Sequence, residues 1–350
     1  MPDLYVTNFN RNFTGVSATA ANVLRQQLAM HDLRLVGYPL PGCPAPIPLA
    51  QARQLTRHPP EGRGFAIWHV RRNPEMRAAL WLRDVLRRQI RIVFTSAAQR
   101  RHSAVPRWLI ARMDAVIATT EAAADFVPNV HAVVPHGVDT DLFTPAADRA
   151  SDWAAQGFGG TLGIATLGRI RPEKGTDLFV EAMLRLLPNL PGAMALVLGR
   201  AAPEHQPFLR GLQAQVAAAG LAGRILFPGE IPAGELPALM RSLSLVVQLP
   251  RYEGYGMVPL EGMASGVPFV ASDAGSYRAF AAQGQSGAIV AQDAPAEAAE
   301  AAAAILADAG RHAAMARAAR EIAETRFSAA AEAAGIEAVY RQLWDSNLRR

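Results

Sequence analysis

Cysteine and lysine are scarce in this 350-residue chain, and so are long apolar segments. Cys43 is the only cysteine, so no internal disulfide can form, and a reducing cytoplasm fits. No apolar run approaches the ~18 residues that a membrane-spanning helix needs. The first residues also lack the basic and then apolar pattern of a signal peptide, so we expect a cytoplasmic protein.

Lysine occurs once, at Lys174, among 35 basic residues. Arginine and lysine differ in shape and hydration. A chain that uses arginine almost everywhere therefore has a chemical reason to keep a compact ammonium at this position.

Half of the residues are apolar and 19% are charged, which is typical of a soluble globular enzyme. The length corresponds to about two domains. Strand and helix patterns alternate along the chain, which predicts an α/β fold. Residues 146–160 read as surface loop, so the boundary is expected near residue 150, with domains at 1–150 and 151–328.

The charge differs between the two halves. Residues 1–150 carry 18 arginines and 11 acidic residues, or +7, and the remainder carries 17 basic and 19 acidic residues, or −2. The first half is therefore expected to meet an anionic partner, such as a membrane surface or a charged glycan.

Much of this excess lies in residues 71–112, where eleven arginines accompany two acidic residues. Trp68, Trp81 and Trp108 are interleaved with the arginines, a combination that favours docking on a membrane surface. Val85 is predicted to lie on the buried face of a helix here. Nucleic acid is not expected as a partner, because no nucleic-acid motif accompanies the charges. A solvated helix face is the alternative.

Residues 243–276 combine a buried strand, a glycine-broken turn, a helix and a second buried strand. The free N–H groups at the start of such a helix form an anion site. Glu253 on the turn and Glu261 on the helix add carboxylates, which accept hydrogen bonds from sugar hydroxyls. The stretch predicts a ligand with both phosphates and sugar hydroxyls. The alternative is a solvated loop glutamate and a helix-start glutamate.

A second strand–turn–helix unit contains GRIRPEKG at residues 168–175. Arg169 and Lys174 bracket this turn. Two cations beside a helix N-terminus suit a diphosphate that must leave with its charge stabilised. Surface charge on a loop is the alternative, which the unique lysine disfavours.

Two residues of the first half lie where a strand meets a loop. Gly15 precedes a helix, which lets the backbone approach a phosphate closely, although a turn glycine is equally consistent. His69 ends a short strand at the edge where ligands gather in α/β sheets. It is a candidate contact at the reacting centre, with a capping or core-edge histidine as the alternative.

Arg169, Lys174, Glu253 and Glu261, in that order and on those elements, resemble the retaining, nucleotide-sugar-dependent glycosyltransferases of family 4. Further matching segments are PHGVDTDLF at 135–143, FPGEIP at 227–232, MASGVPFVASDAG at 263–275 and ETRFS at 324–328. The resemblance spans nearly the whole chain. It implies the GT-B fold: two Rossmann-like domains facing a cleft, with the acceptor on the first, the nucleotide sugar on the second, and a closing helix at 329–350 packed on the first.

By position, the resemblance implies that Arg169 and Lys174 hold the donor diphosphate. It also implies that Glu253 contacts the hydroxyls of the donor sugar and that Glu261 contacts the ribose.

The same resemblance brings the backbone N–H groups of Gly256, Met257 and Val258 to the phosphates. Gly15 and His69 would border the cleft from the first domain.

The sequence departs from the family pattern at three positions. His136 stands where the family usually has asparagine. Ser276 and Ala279 stand where it often has glycine and glutamate, which puts a ligand contact there in doubt.

The segments IWHVRRNPEM, FTSAAQRRH and RMDAVIATT are more narrowly similar to mannosyltransferases of lipopolysaccharide core assembly in alphaproteobacteria. This similarity implies GDP-mannose as donor, a Kdo-containing lipid-linked acceptor, and a place on the inner face of the cell membrane. No metal or other cofactor is expected. The alternatives are a UDP-sugar donor with another acceptor, a nucleotide-sugar epimerase of similar architecture, and a non-catalytic nucleotide-sugar sensor.

Overall fold

The computed structural model describes residues 1–12 and 14–348, and the chain folds into two compact units. The first unit contains residues 1–137 and the C-terminal segment from Phe327, and the second contains residues 138–326. The division falls at Gly137, whereas the sequence places the boundary near residue 150.

The first unit is built on a six-stranded parallel sheet. Its strands are β1 Leu4–Asn8, β2 Leu33–Gly37, β3 Ala66–Val70, β4 Ile90–Ser96, β5 Ala115–Ala118 and β6 Val130–Val133. Their order is β2-β1-β3-β4-β5-β6. The helices that follow the strands are α1 Gly15–Gln27, α2 Leu49–Leu55, α3 Asn73–Leu80, α4 Ala104–Ile110 and α5 Glu121–Ala124. Strands β1 and β3 are buried along their whole length, as expected for a parallel sheet covered on both faces.

The C-terminal helix, Ala329–Leu348, belongs to this unit. Ile336, Val339 and Tyr340 on the helix are buried in a core shared with α1 and the first sheet. Trp344 continues this contact, because its Nε1–H donates to the Phe65 carbonyl at 3.3 Å. The chain therefore passes through the second unit and then returns to complete the core of the first.

An ion-pair network also holds this helix. The ring nitrogens of His31 lie 3.1 Å from an Asp3 carboxylate oxygen and 2.7 Å from a Glu337 carboxylate oxygen on the helix. Burial lowers the pKa of His31, but the hydrogen bonds to these two carboxylates outweigh it and raise that pKa to about 9. The imidazole is therefore charged at neutral pH and links the helix to the start of the chain.

The arginine-rich segment differs from its prediction. Helix α3 passes into a π-helical turn at Trp81–Val85, which shifts the later side chains around the helix axis. Val85 is consequently 65% exposed, so its expected place on the buried face is wrong. Trp68 is fully buried and stacks on Tyr5, with ring centroids 5.2 Å apart, so it belongs to the core and not to the basic face.

The second unit has its own six-stranded parallel sheet, in the order β12-β11-β10-β7-β8-β9. These strands are β7 Leu162–Leu167, β8 Ala193–Leu198, β9 Ile225–Gly229, β10 Leu245–Gln248, β11 Phe269–Ser272 and β12 Gly287–Val290. The helices are α6 Arg149–Ala155, α7 Thr176–Leu186, α8 Gln206–Ala218, α9 Leu236–Ser242, α10 Met257–Ala264, α11 Tyr277–Ala281, α12 Pro295–Leu306 and α13 Ala309–Arg326.

Helix α6 lies in the stretch that the sequence was expected to leave as loop. The Asp148 carboxylate caps it by accepting from the backbone N–H groups of Ala150 and Ser151. Trp153 is buried against Gly163, where a Cβ atom would lie 2.1 Å from the indole ring. This packing fixes the stretch to the second unit and explains why the division precedes residue 150.

Among the described residues, none of the helices has both the length and the apolar character needed to cross a bilayer.

Candidate donor-binding site

The strand order of the second sheet identifies a ligand position. The chain leaves β7 towards β8 and β9 on one side, and later adds β10, β11 and β12 on the other side. In open α/β sheets, ligands bind outside the carboxyl ends of the strands at such a reversal. The loops after β7 and β10 meet here, and they carry the candidate residues of the second half.

The two loops are in direct contact. Gly175 ends the first loop with φ of +65°, and a Cβ atom there would lie 1.7 Å from the Leu249 carbonyl oxygen. Only glycine fits this position, because both the backbone conformation and the lack of space exclude a side chain. The Arg251 N–H also donates to the Glu173 carbonyl at 3.0 Å.

An arginine clamp that the sequence did not reveal reinforces this contact. The Arg251 guanidinium donates to both carboxylate oxygens of Asp177, at 2.9 and 2.8 Å, and lies 2.7 Å from Asp293. Paired N–H···O bonds of this type fix geometry as well as charge. No spacing pattern predicts the clamp, since Asp177 and Arg251 are 74 residues apart in sequence.

Lys174 and Glu253 form an ion pair across the two loops. The Lys174 Nζ lies 2.7 Å from Glu253 Oε2, and the side chains are 24% and 20% exposed. Glu253 Oε1 also accepts from the Gly254 N–H at 2.9 Å. The structure thus places the unique ammonium and the turn carboxylate within reach of one ligand.

Arg169 follows the carboxyl end of β7 and is exposed. Together with Lys174, Thr166 and Leu198, it lines a narrow cavity at the ends of β7 and β8. In the part of the chain that the structure describes, its guanidinium has no ion-pair partner. Two cations therefore border the same cavity, one paired with Glu253 and one without a counter-ion.

The start of α10 is shaped by Gly256, Met257 and Val258. Gly256 has φ of +98°, and a Cβ atom there would lie 2.1 Å from the ring of Tyr277. No side chain caps this helix at Gly256. The first N–H groups of a helix have no acceptor within the helix, so those of Met257 and Val258 are suited to an anion.

The turn before α10 is supported by the segment around Gly275, a contact that was not recognised from the sequence. Gly275 has φ of +54°, and a Cβ atom there would lie 2.7 Å from the Tyr255 carbonyl oxygen. The Ser276 N–H donates to the same carbonyl at 2.9 Å. Ser276 is buried, whereas Ala279 is exposed and has no polar group to offer a ligand. The glycine of the DAGS segment was the available signal for this close packing.

Glu261 lies in the second turn of α10 and is partly buried. Its carboxyl makes no hydrogen bond or ion pair with any residue that the structure describes. Burial raises its pKa to about 8. The carboxyl is therefore mostly protonated at neutral pH and available to a ligand.

His69, in the first unit, is fully buried. One ring nitrogen lies 2.5 Å from the Tyr340 hydroxyl and the other 2.7 Å from the Thr95 hydroxyl. Burial, and after it the charge of Arg71, lowers its pKa well below the usual value. Because both nitrogens are engaged inside the unit, the structure contradicts a contact with the reacting sugar and makes His69 a core-edge histidine.

Gly15 begins α1, also in the first unit. A Cβ atom there would meet nothing within 4 Å, and the residue is not among the glycines with positive φ. The turn-glycine alternative is therefore not supported, because the fold does not require glycine here. Close approach of a ligand stays a prediction.

The buried histidine of the linker segment has a structural role as well. The His136 Nδ1 lies 2.7 Å from Glu332, whose other carboxylate oxygen accepts from the Gly137 N–H at 2.7 Å. This pair holds the C-terminal helix at the end of the first unit.

The second unit combines paired charges and an uncapped helix start at its strand-order reversal, features that suit a ligand with phosphate groups. The Anabaena protein Alr3699/HepE, solved in complex with UDP, matches with a TM-score of 0.80 over 97% of this chain and 100% of that chain, at 18% identity. This similarity shows the fold, and the expected GT-B fold is confirmed.

Sequence comparison then gives the family. The glycosyl transferases group 1 family matches residues 155–322. The lipopolysaccharide core biosynthesis mannosyltransferase LpcC of Rhizobium leguminosarum bv. viciae is 40% identical over 355 residues, which cover 99% of each chain. The corresponding LpsB protein of Rhizobium meliloti is 40% identical over 97% of each chain. The chain belongs to the group 1 glycosyltransferases, and the expected enzyme class is confirmed.

A solved structure supports the same relationship for the second unit. The C-terminal domain of the group 1 protein LpcC from Francisella tularensis is 32% identical, with a TM-score of 0.53, and covers 55% of this chain and 99% of that domain.

Proposed function

We propose that the protein transfers a mannosyl residue from GDP-mannose, with retention of configuration, to a Kdo-containing, lipid-linked lipopolysaccharide core acceptor. The observation that carries this proposal is the 40% identity, over nearly the full length of each chain, to two lipopolysaccharide core mannosyltransferases. The geometry of the candidate donor site supports the chemistry.

In the proposed reaction, the bond between the anomeric carbon and the donor phosphate breaks, and a bond forms to an acceptor hydroxyl oxygen. The hydroxyl proton passes to a phosphate oxygen of the departing GDP. Lys174, Arg169 and the N-terminus of α10 would stabilise the charge that develops on the diphosphate. Glu253 would accept hydrogen bonds from the donor sugar. We propose that these groups suffice without a metal.

A panel of nucleotide sugars tests the donor assignment, because a ligand that binds the folded protein raises its melting temperature. GDP-mannose and GDP should stabilise the protein more than UDP-glucose and UDP do, and mannose should appear on the lipid-linked acceptor. Stronger stabilisation by UDP and UDP-glucose would show that the donor is a UDP-sugar and not GDP-mannose. Conversion of GDP-mannose without an acceptor would favour an epimerase, and binding without turnover on any acceptor would favour a sensor.

GDP binding is expected to release a proton from Glu261. Its pKa of about 8 leaves the carboxyl mostly protonated at pH 7. Two ribose hydroxyls that donate to the group would favour the carboxylate and lower that pKa. Calorimetry in buffers of different ionisation enthalpy counts the released protons, and Glu261→Gln should release fewer.

The same shift gives a stability control. A carboxyl whose folded-state pKa is raised from 4.5 to about 8 contributes stability at low pH, which is lost as the pH rises through 8. The free energy of unfolding should therefore fall less between pH 5 and pH 8 in Glu261→Gln than in the parent. Equal proton release by the two proteins on GDP binding would argue against the ribose contact.

The proposed place of action is the inner face of the cell membrane, and the structure refines which arginines could serve it. Several are engaged: Arg83 and Arg91 pair with Asp114, and Arg112 pairs with Asp84. The exposed arginines of the segment that lack an ion-pair partner among the described residues are Arg77, Arg87, Arg100, Arg101 and Arg107.

Exposed apolar side chains accompany them. Val105 and Trp108 on α4 are 65% and 59% exposed, and Trp81 is 40% exposed. Apolar side chains beside basic ones are the combination that inserts at a bilayer interface. This supports a membrane-docking role for the segment.

Replacing Arg87, Arg101 and Arg107 with Ser is expected to weaken binding to anionic vesicles. Each arginine near an anionic surface contributes about 1 kcal/mol, and salt screens this contribution. Vesicle co-sedimentation at low and high salt measures the effect.

A matched control removes three exposed arginines of the second unit, Arg210, Arg311 and Arg317, and so makes the same change in net charge. The control should bind vesicles like the parent. If both triple variants lose binding equally, net charge and not this surface is responsible.

A further inference from the structure

The first unit has a strand-order reversal of its own. The chain leaves β1 towards β2 on one side, and then adds β3 to β6 on the other side. The carboxyl ends of β1 and β3 therefore flank the position where this sheet would bind a ligand. Arg71 is the residue that follows β3 directly.

Arg71 is only 8% exposed, and its Nε and Nη1 atoms are buried without a hydrogen-bond partner among the described residues. The adjacent Arg72 is different: its guanidinium donates to Asn8, Glu75 and Ser17 at 3.0 to 3.1 Å. A buried charge is costly unless it is paired and hydrogen-bonded. Arg71 thus retains two unused donors at the ligand edge of the sheet.

The nearby carboxylates are occupied by other donors. Glu75 accepts from the Thr7 hydroxyl and from the backbone N–H groups of Phe9, Arg71 and Arg72. Neither Glu75 nor Glu332 lies within ion-pair distance of the Arg71 guanidinium in the described part of the chain. Burial is the main influence on the pKa of Arg71 and lowers it. The charges of Tyr340, Glu332 and Glu75 act on it in the opposite direction, but none of these groups forms a direct pair with the guanidinium among the described residues.

Two hydroxyls at the same edge share this property. Ser96 ends β4 and Thr119 follows β5, and the hydroxyl oxygen of each is buried without a partner among the described residues. The edge therefore contains several polar groups that the fold itself leaves unsatisfied.

We propose that Arg71 binds a carboxylate of the acceptor sugar. This inference rests on the proposed function, whose Kdo-containing acceptor has a carboxylate. The planar guanidinium presents N–H groups in a fork that matches a planar oxyanion. The acceptor's carboxylate would supply the direct ion-pair partner that the described residues do not provide.

The first test concerns the protein without ligand. Because buried donors of Arg71 have no hydrogen-bond partner among the described residues, replacing it with an apolar side chain of similar length should not destabilise the fold, so Arg71→Met should melt at the parent temperature or above. Arg57→Met, at an exposed position of the same unit, is the control. A melting temperature more than about 5 °C below that of the parent would make Arg71 a structural residue and overturn the inference.

The second test compares a detergent-solubilised Kdo-lipid acceptor with the same acceptor after conversion of its carboxylates to methyl esters. In the parent, esterification should lower kcat/KM for the acceptor by roughly 10-fold to 100-fold, the effect of losing a charged hydrogen bond. Arg71→Met should show a similar loss on the free acid and little further loss on the ester, with the affinity for GDP unchanged. If Arg71→Met lowered kcat/KM by the same factor on the free acid and on the methyl ester, the inference would be overturned.

A binding measurement separates this inference from the proposed function. The methyl glycoside of Kdo should raise the melting temperature of the parent and of Arg57→Met, but not that of Arg71→Met. If the parent transfers no mannose but this pattern holds, the proposed function fails and the carboxylate site stands. If the sugar stabilises Arg71→Met as much as the parent, the carboxylate site fails whatever the enzyme transfers.

Discussion

Lys174→Ala is expected to lower kcat by about 100-fold or more, as removal of an electrostatic donor to a developing anion does. Lys174 lies 2.7 Å from Glu253 and beside Arg169 at the carboxyl end of β7. Its side chain lies in a loop and reaches solvent, so the fold should persist when it is truncated. Steady-state kinetics with GDP-mannose and a melting curve measure the two effects.

The control for this variant is Arg185→Ala, which removes one exposed positive charge from α7 in the same unit. It should turn over at the parent rate. Lys174→Arg should fall between the parent and Lys174→Ala, because it keeps the charge but changes its shape and hydration. Activity of Lys174→Ala close to that of the parent would remove Lys174 from the diphosphate site.

Glu253→Gln is expected to lower kcat by about 100-fold while the affinity for GDP is kept or rises. The carboxylate holds Lys174 at 2.7 Å in the structure, so it competes with a diphosphate for the same ammonium. The amide releases Lys174 to GDP but makes a weaker, uncharged acceptor for the hydroxyls of the donor sugar. Kinetics for GDP-mannose and calorimetry for GDP separate these two consequences.

The control for this variant is the comparison of its affinity for GDP with its affinity for GDP-mannose. The ratio of GDP affinity to GDP-mannose affinity should rise in Glu253→Gln, because only the sugar nucleotide carries the hexose. A parallel fall in both affinities would place Glu253 at the nucleotide and not at the sugar.

The sequence predicted much of the architecture because buried parallel strands are continuous apolar runs. The structure has the predicted alternation of strands and helices, and the C-terminal helix begins at Ala329 as expected. The strand β4, Ile90–Ser96, was not predicted, because it lies inside the arginine-rich segment, which was interpreted from its charges. The arginines around residues 90–96 directed attention to the surface, and a strand inside the sheet was overlooked.

The candidate donor site was proposed from the residue types on each loop, and the structure brings two of them, Lys174 and Glu253, together. The Arg251 clamp could not be predicted, since it joins residues that only the sheet order makes neighbours. His69 was misplaced for a related reason. The end of a strand identifies the ligand edge, but the Tyr340 hydroxyl that occupies its ring comes from a helix 271 residues later.

Arg71 illustrates the same limit. In the sequence it is one of eleven arginines between residues 71 and 112, and nothing local separates it from the others. Its burial and its unused donors become visible only when the strand order and the C-terminal helix are known. The exposed members of the group and the buried one therefore receive different proposed roles, at a membrane surface and at an acceptor carboxylate.

Proton NMR of the product formed from GDP-mannose and a Kdo-containing lipid acceptor tests the proposed function most directly. We expect release of GDP together with a mannose joined to the acceptor in the α configuration of the donor, and loss of this product in Lys174→Ala. A β-linked mannose would contradict retention. A correctly folded enzyme that transfers no mannose, but transfers a hexose from a UDP-sugar, would contradict the proposed function itself.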